Sequence, residues 1–125
     1  MKQAIHIEGA PKPIAPYSQA IKVGNLVFVS GQIPVNPYTR EFNMDTIEIA
    51  TRQVLDNITA ILKEAGATMD NVVKCQVFLK DMNDFAAMNA VYGEYFKETP
   101  PARECVQVAK LPSDVNVEIS CIAAI

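Results

Sequence analysis

Arg103 and Glu118 are the residues whose types and surroundings best suit chemistry on a small acidic molecule. Arg103 sits in Pro101-Ala102-Arg103-Glu104-Cys105-Val106-Gln107-Val108, and Glu118 in Val117-Glu118-Ile119-Ser120. A guanidinium grips a carboxylate through two parallel hydrogen bonds and keeps its charge when partly buried. A carboxylate among apolar and small neighbours either finds a cation or has its pKa raised toward the range in which it acts as a base. The bland alternatives are a structural pair between Arg103 and Glu104, and an interface salt bridge between Glu118 and a lysine. Cys105 could serve as a nucleophile only beside a base, and the single histidine, His6, lies in a distant segment. A thiol lining a cleft is therefore the expectation for Cys105.

Strand periodicity suggests how these side chains are presented. Val106 and Val108 share one face at a period of two, and Arg103, Cys105 and Gln107 share the other. The expectation is a core face built by the valines and a chemical face built by the polar set. Val117, Ile119 and Cys121 form a similar apolar row, from which Glu118 and Ser120 point away. If the two strands pair as a hairpin across 110–116, keeping both charged residues on one face puts Gln107 opposite Glu118. Arg103 then lies four residues further along, about 13 Å away at ~3.4 Å per residue.

The rest of the chain must supply the frame. Ala4 to Ile7 reads as a short edge strand, and the prolines between Gly9 and Pro16 as an ordered loop ending at Tyr17. Gln19 to Val23 and Leu26 to Ser30 flank Gly24-Asn25, a hairpin signature. Leu26-Val27-Phe28-Val29 lacks alternation, as in a strand covered on both faces. Residues 32–43 read as a surface turn. Asp45 to Ala65 carries Ile47, Ala50, Val54, Leu55, Ile58, Ile61, Leu62 and Ala65 at helical spacing, with Asp45 and Glu48 resembling a capping box and Gly66 a C-terminal cap. A strand follows with Val73, Cys75, Val77 and Leu79 in one row. A second helix starts at Asn83 or Asp84 and turns Phe85, Met88, Val91, Tyr92, Tyr95 and Phe96 inward; Gly93 in its interior suggests close packing. The order predicts an α+β two-layer sandwich, residues 1–125 as one domain, with both helices on one face of a mixed sheet. The mixed polar face left over suits burial against another subunit.

Composition narrows the function. Half of the 125 residues are hydrophobic and 20% are charged, as in a folded domain. A net charge of −3 and the lack of a basic run argue against nucleic acid as a partner. No apolar run nears the ~20 residues of a membrane span, and the N-terminus lacks a signal-peptide core, so a cytoplasmic location is expected. Cys75, Cys105 and Cys121 are odd in number and widely spaced, which fits reduced thiols and offers no metal-ligand spacing.

The blocks Pro101-Ala102-Arg103, Cys105-Val106, Leu111-Pro112 and Val117-Glu118-Ile119 resemble the C-terminal signature of the RidA/YjgF reactive-intermediate deaminase family. The resemblance extends through Pro16-Tyr17-Ser18-Gln19, Ser30-Gly31-Gln32-Ile33-Pro34, Val77-Phe78-Leu79-Lys80-Asp81 and Asn89-Ala90-Val91-Tyr92. It implies a chorismate-mutase-like fold, a homotrimer, and hydrolysis of reactive 2-imino acids to 2-oxo acids and ammonia without metal or cofactor. It also implies roles: Arg103 on the substrate carboxylate, Glu118 activating water, and Tyr17, Ser30, Gly31, Asn89 and Cys105 lining an inter-subunit cleft. A regulatory reading is the alternative, since similar proteins are linked to translation inhibition, RNA cleavage and purine-operon regulation. Three positions depart from the family pattern: Glu104 after Arg103, Ala15 before Pro16-Tyr17, and Arg40 where a turn glycine is usual. Strand alternation directs Glu104 away from the side of Arg103.

Overall fold

Gly24 has a φ of +58°, and the tight turn it makes with Asn25 joins β2 (Ala20–Val23) to β3 (Leu26–Gln32). The computed structural model describes residues 1–125. The remaining elements are β1 (Gln3–Ile5), α1 (Ile47–Glu64), β4 (Val72–Leu79), α2 (Phe85–Tyr95), β5 (Ala102–Gln107) and β6 (Val117–Ala124). They form one six-stranded sheet in the order β1-β2-β3-β6-β4-β5. Every neighbouring pair is antiparallel except β4 and β5, which α2 links as a parallel crossover. The expected α+β architecture is the one observed. No helix is long and apolar enough to cross a membrane.

α1 forms as its apolar stripe predicts, and Val54, Leu55, Ile58, Ile61 and Leu62 are buried. They close a core with Val27, Val29, Cys75, Val77, Ile119 and Cys121 from the inner face of the sheet. Removing one such side chain down to alanine costs about 2–5 kcal/mol. The N-cap is Thr46 rather than Asp45: its side chain accepts from the Ile49 amide at 3.1 Å. Gly66, at φ +81°, ends the helix as expected.

Several sequence expectations are corrected. β5 and β6 are not a hairpin, because β4 lies between them and β5 is an edge strand. The faces of β5 are also reversed. Arg103, Cys105 and Gln107 turn toward the helices, where the Gln107 Oε1 accepts from the Met82 amide at 2.8 Å. Val106 faces away and is 43% exposed. An edge strand can bury a long amphipathic side chain at the rim of the helix layer and leave a valine outside, so hydrophobicity alone misassigns its face. In β4 a register shift between Val72 and Lys74 buries Val72 and exposes Val73, breaking the predicted row. Phe28 is exposed on the helix-free face, so β3 is covered on one side only within the chain. Gly93 is not a close-packing site: a β-carbon built there meets nothing within 4 Å. Phe85, expected inside, stays over a third exposed at the start of α2.

Candidate functional site

The sheet sorts the candidate residues into two clusters. The first lies on the helix-free face, where β3 meets β6. Val29 pairs with Cys121 and Gln32 with Ile119, so Ser30 and Gly31 together oppose one residue, a β-bulge that bends the end of β3. The bulge is pinned by the Ser30 hydroxyl donating to the Ser18 carbonyl at 2.7 Å and the Ser30 amide donating to the Gln19 carbonyl at 2.9 Å. Gly31 then lies directly against Glu118. A β-carbon at residue 31 would stand 2.8 Å from the Glu118 Cδ and overlap its Oε2. Only glycine leaves the carboxylate where it is.

Glu118 alternates with buried Val117 and Ile119 and is itself half-buried. Burial alone pushes its carboxyl above the ordinary carboxylate value. No cation pairs with it: the ion pairs of the chain are Arg52–Glu94, Lys74–Glu104 and Lys80–Asp114. With Tyr17, Ser30 and Gly31 it lines a hollow of about 410 Å³, whose other walls are Ile33 and Pro112. Tyr17 stands at the rim, on a loop tied back by Arg40, whose Nη2 donates to the Lys12 carbonyl at 3.1 Å. Arg40 adopts a φ of +67°, the left-handed region glycine enters at least cost, which explains why a glycine suits this turn. Pro112 is presented by a turn in which Ser113 and Asp114 both have positive φ, steadied by Lys80 Nζ on Asp114 Oδ2 at 3.1 Å.

The second cluster lies at the β5 edge beneath α2. Arg103 Nη1 donates to Asn89 Oδ1 at 2.7 Å, and the guanidinium carbon stands 4.7 Å from the ring centre of Tyr92 and 5.6 Å from that of Phe85. Cys105, two residues along the same face, is partly buried. Burial pushes its thiol up, with the charge of Arg103 acting in the opposite sense. It has no neighbouring histidine to generate a thiolate, since His6 follows β1 at the opposite edge of the sheet. Glu104 points to the other face, where it meets Lys74 Nζ at 2.8 Å and accepts from Gln76 Nε2 at 2.9 Å. It therefore does not compete for Arg103.

Tyr17, Ser30, Gly31 and Glu118 are thus brought together, and so are Arg103, Asn89 and Cys105. The two groups do not meet within one chain. Phe78 of β4 pairs with both Glu118 and Val106, so Glu118 is level with Val106, two strands away and about 10 Å across. Arg103 is three residues further along and projects from the opposite face. Sequence reasoning missed Ile33 and Pro112 as walls and Phe85 and Tyr92 as partners of Arg103. The spacing of Phe85, Asn89 and Tyr92, one helical face at i, i+4 and i+7, was the available signal for the last two.

Comparison with known proteins agrees on one family. The family model described as endoribonuclease L-PSP matches residues 7–125. A RutC family protein of Pyrococcus horikoshii is 58% identical over 123 residues, covering 98% of each chain. The Escherichia coli 2-iminobutanoate/2-iminopropanoate deaminase is 49% identical over 126 residues, again covering 98% of each. Among solved structures, E. coli TdcF with bound serine superposes with a TM-score of 0.92 at 44% identity, covering 98% of each chain.

Proposed function

The chain belongs to the endoribonuclease L-PSP family, which includes the RidA/YjgF proteins, and from that membership we propose that it hydrolyses reactive 2-imino acids to 2-oxo acids and ammonia. The observation that carries this reading is the Glu118 carboxylate, half-buried, free of any cation and pressed against Gly31. A carboxylate with a raised pKa is a better base for a neutral water than an ordinary one. Its neighbours Ser30, Gly31 and Tyr17 leave room for a small planar substrate.

In the proposed reaction Arg103 holds the substrate carboxylate and Glu118 takes a proton from water. The water oxygen bonds to the carbon of the protonated imine, and the C=N π pair moves onto nitrogen, giving a carbinolamine. Glu118 returns the proton to that nitrogen, and the C–N bond breaks as ammonia leaves. The hydroxyl lone pair closes the carbon–oxygen double bond in the same step, and the hydroxyl proton passes to the released ammonia, leaving the 2-oxo acid and ammonium. A protonated imine carbon is already electrophilic, so positioning and proton transfer suffice.

Arg103 and Glu118 can act on one small molecule only if they come from two copies of the chain. The helix-free face suits that arrangement, because Phe28, Phe78, Val106 and Ile122 leave an apolar surface beside the polar group Lys74, Gln76 and Glu104. The assembly proposed is a homotrimer with three clefts between subunits, each taking Arg103, Asn89 and Cys105 from one copy and Glu118 with the bulge from the next. Sedimentation at micromolar concentration should give about three times the 13.7 kDa chain mass; an active monomer would defeat the assembly.

The chemical test couples the protein to a pyridoxal-phosphate dehydratase that releases the imine from serine or threonine. Faster appearance of the 2-oxo acid supports the reading, and no acceleration over the spontaneous rate sinks it. RNA cleavage finds less support: the net charge is −3 and the single histidine is remote from Glu118.

A further inference from the structure

Resting on the carboxylate-binding role of Arg103 proposed above, we infer that Phe85 and Tyr92 are positioning residues that clamp the guanidinium against their ring faces without neutralising it. α2 places Phe85, Asn89 and Tyr92 on one face, and β5 runs beneath that face. Arg103 and Cys75 are paired across β4 and β5, which sets the arginine below Tyr92. The guanidinium carbon is 4.7 Å from the Tyr92 centroid and 5.6 Å from that of Phe85, both within cation–π range.

A partly buried cation without a carboxylate needs another source of stabilisation, because loss of hydration is costly. All of its partners here are neutral: two ring faces, and Asn89 Oδ1 accepting from Nη1 at 2.7 Å. None cancels the charge, so the full attraction remains for an incoming carboxylate. Asn89 also occupies one end of the fork, which leaves the edge formed by Nη2 and Nε to make the two parallel hydrogen bonds. A free arginine would lose side-chain entropy on binding, and stacking removes part of that loss in advance.

The rings themselves argue for this role. Phe85 is more exposed than a packing phenylalanine needs to be, yet it covers the guanidinium. Tyr92 is buried and tilts against Phe96 with ring centres 4.7 Å apart, which fixes its plane. Its hydroxyl has no hydrogen-bond partner of ordinary geometry and lies near the Cys75 thiol. The ring, not the phenol, is therefore the working part.

The test uses Tyr92→Leu, Phe85→Leu and the conservative Tyr92→Phe, with 2-oxobutanoate as the probe. Four quantities are measured: its affinity by titration, KM and kcat for the dehydratase-generated imine, and the Nε–H resonance of Arg103, assigned by its loss in Arg103→Ala. Both leucine variants should weaken 2-oxobutanoate binding and raise KM by about tenfold, with kcat much less affected. Both should also shift the Arg103 resonance as the ring current is lost. Tyr92→Phe should restore affinity, KM and resonance toward the parent values. A folded Phe85→Leu or Tyr92→Leu protein with unchanged affinity and resonance overturns the clamp, as does a parent protein that fails to bind 2-oxobutanoate. Should Tyr92→Leu fail to fold, Phe85→Leu, at a more exposed position, decides the matter. Binding of 2-oxobutanoate without any imine turnover would remove the proposed activity and leave the clamp standing.

Discussion

Arg103 and Glu118 project from opposite faces of one sheet, with β4 between their strands. The site proposed above then takes one residue from each of two copies, and this gives a direct experiment. Arg103→Ala and Glu118→Gln should each lose nearly all imine hydrolysis. If the two are unfolded together and refolded as a 1:1 mixture, about one interface in four of a cyclic oligomer combines an intact Arg103 with an intact Glu118. Activity should return to about a quarter of the parent level. A mixed oligomer that stays inactive would refute the shared cleft.

Gly31→Ala should separate activity from stability. The added methyl group meets the end of a flexible glutamate rather than backbone, so Glu118 swings aside at small structural cost. The melting temperature should change little, whereas kcat/KM should fall by roughly a hundredfold because the proposed base is displaced by about an ångström. Parent-like turnover in this variant would dissociate Glu118 from the chemistry.

The raised pKa of Glu118 predicts two pH effects. In the proposed role of base it must be ionised, so the rate should fall on acidification through a value above the ordinary carboxylate value. Stability runs the other way. The folded state holds this proton more tightly than the unfolded chain, so the stabilisation is complete below the unfolded pKa and is lost as pH rises through the folded value. Glu118→Gln should therefore melt higher than the parent at neutral pH, with the difference shrinking in acid. Thermal melts across that range test the sign.

Gly93→Ala should stabilise the protein. Gly93 lies in the interior of α2, facing solvent, with open space where a methyl group would go. Alanine there removes about 1 kcal/mol of helix penalty, worth roughly 3–5 °C in melting temperature for a chain of this size. A lower melting temperature would overturn the reading of Gly93 as an open, solvent-facing position.

Cys105→Ser should retain most of the turnover. Burial raises the Cys105 thiol, no histidine adjoins it, and the nucleophile proposed is water. Loss of all activity, or an adduct on Cys105 during turnover, would establish covalent catalysis instead.

Local patterns were sufficient where one dominant interaction governs local structure. The stripe from Ile47 to Leu62, the Gly24-Asn25 turn and the buried rows of β6 follow from periodicity, because each is set by contacts between near neighbours and one common core. The family blocks likewise singled out the residues that gather around Glu118 and around Arg103. Tertiary structure decided what they do together. Placing β4 between β5 and β6, and β5 at the edge, turned the expected core face of Val106 outward and drew Arg103 under α2. Strand order and edge position are set by long-range packing of the crossover helix, which no local alternation encodes. The bulge at Ser30-Gly31 and the register shift at Val72–Lys74 follow the same rule, since each inserts one residue to satisfy a neighbouring strand rather than its own sequence.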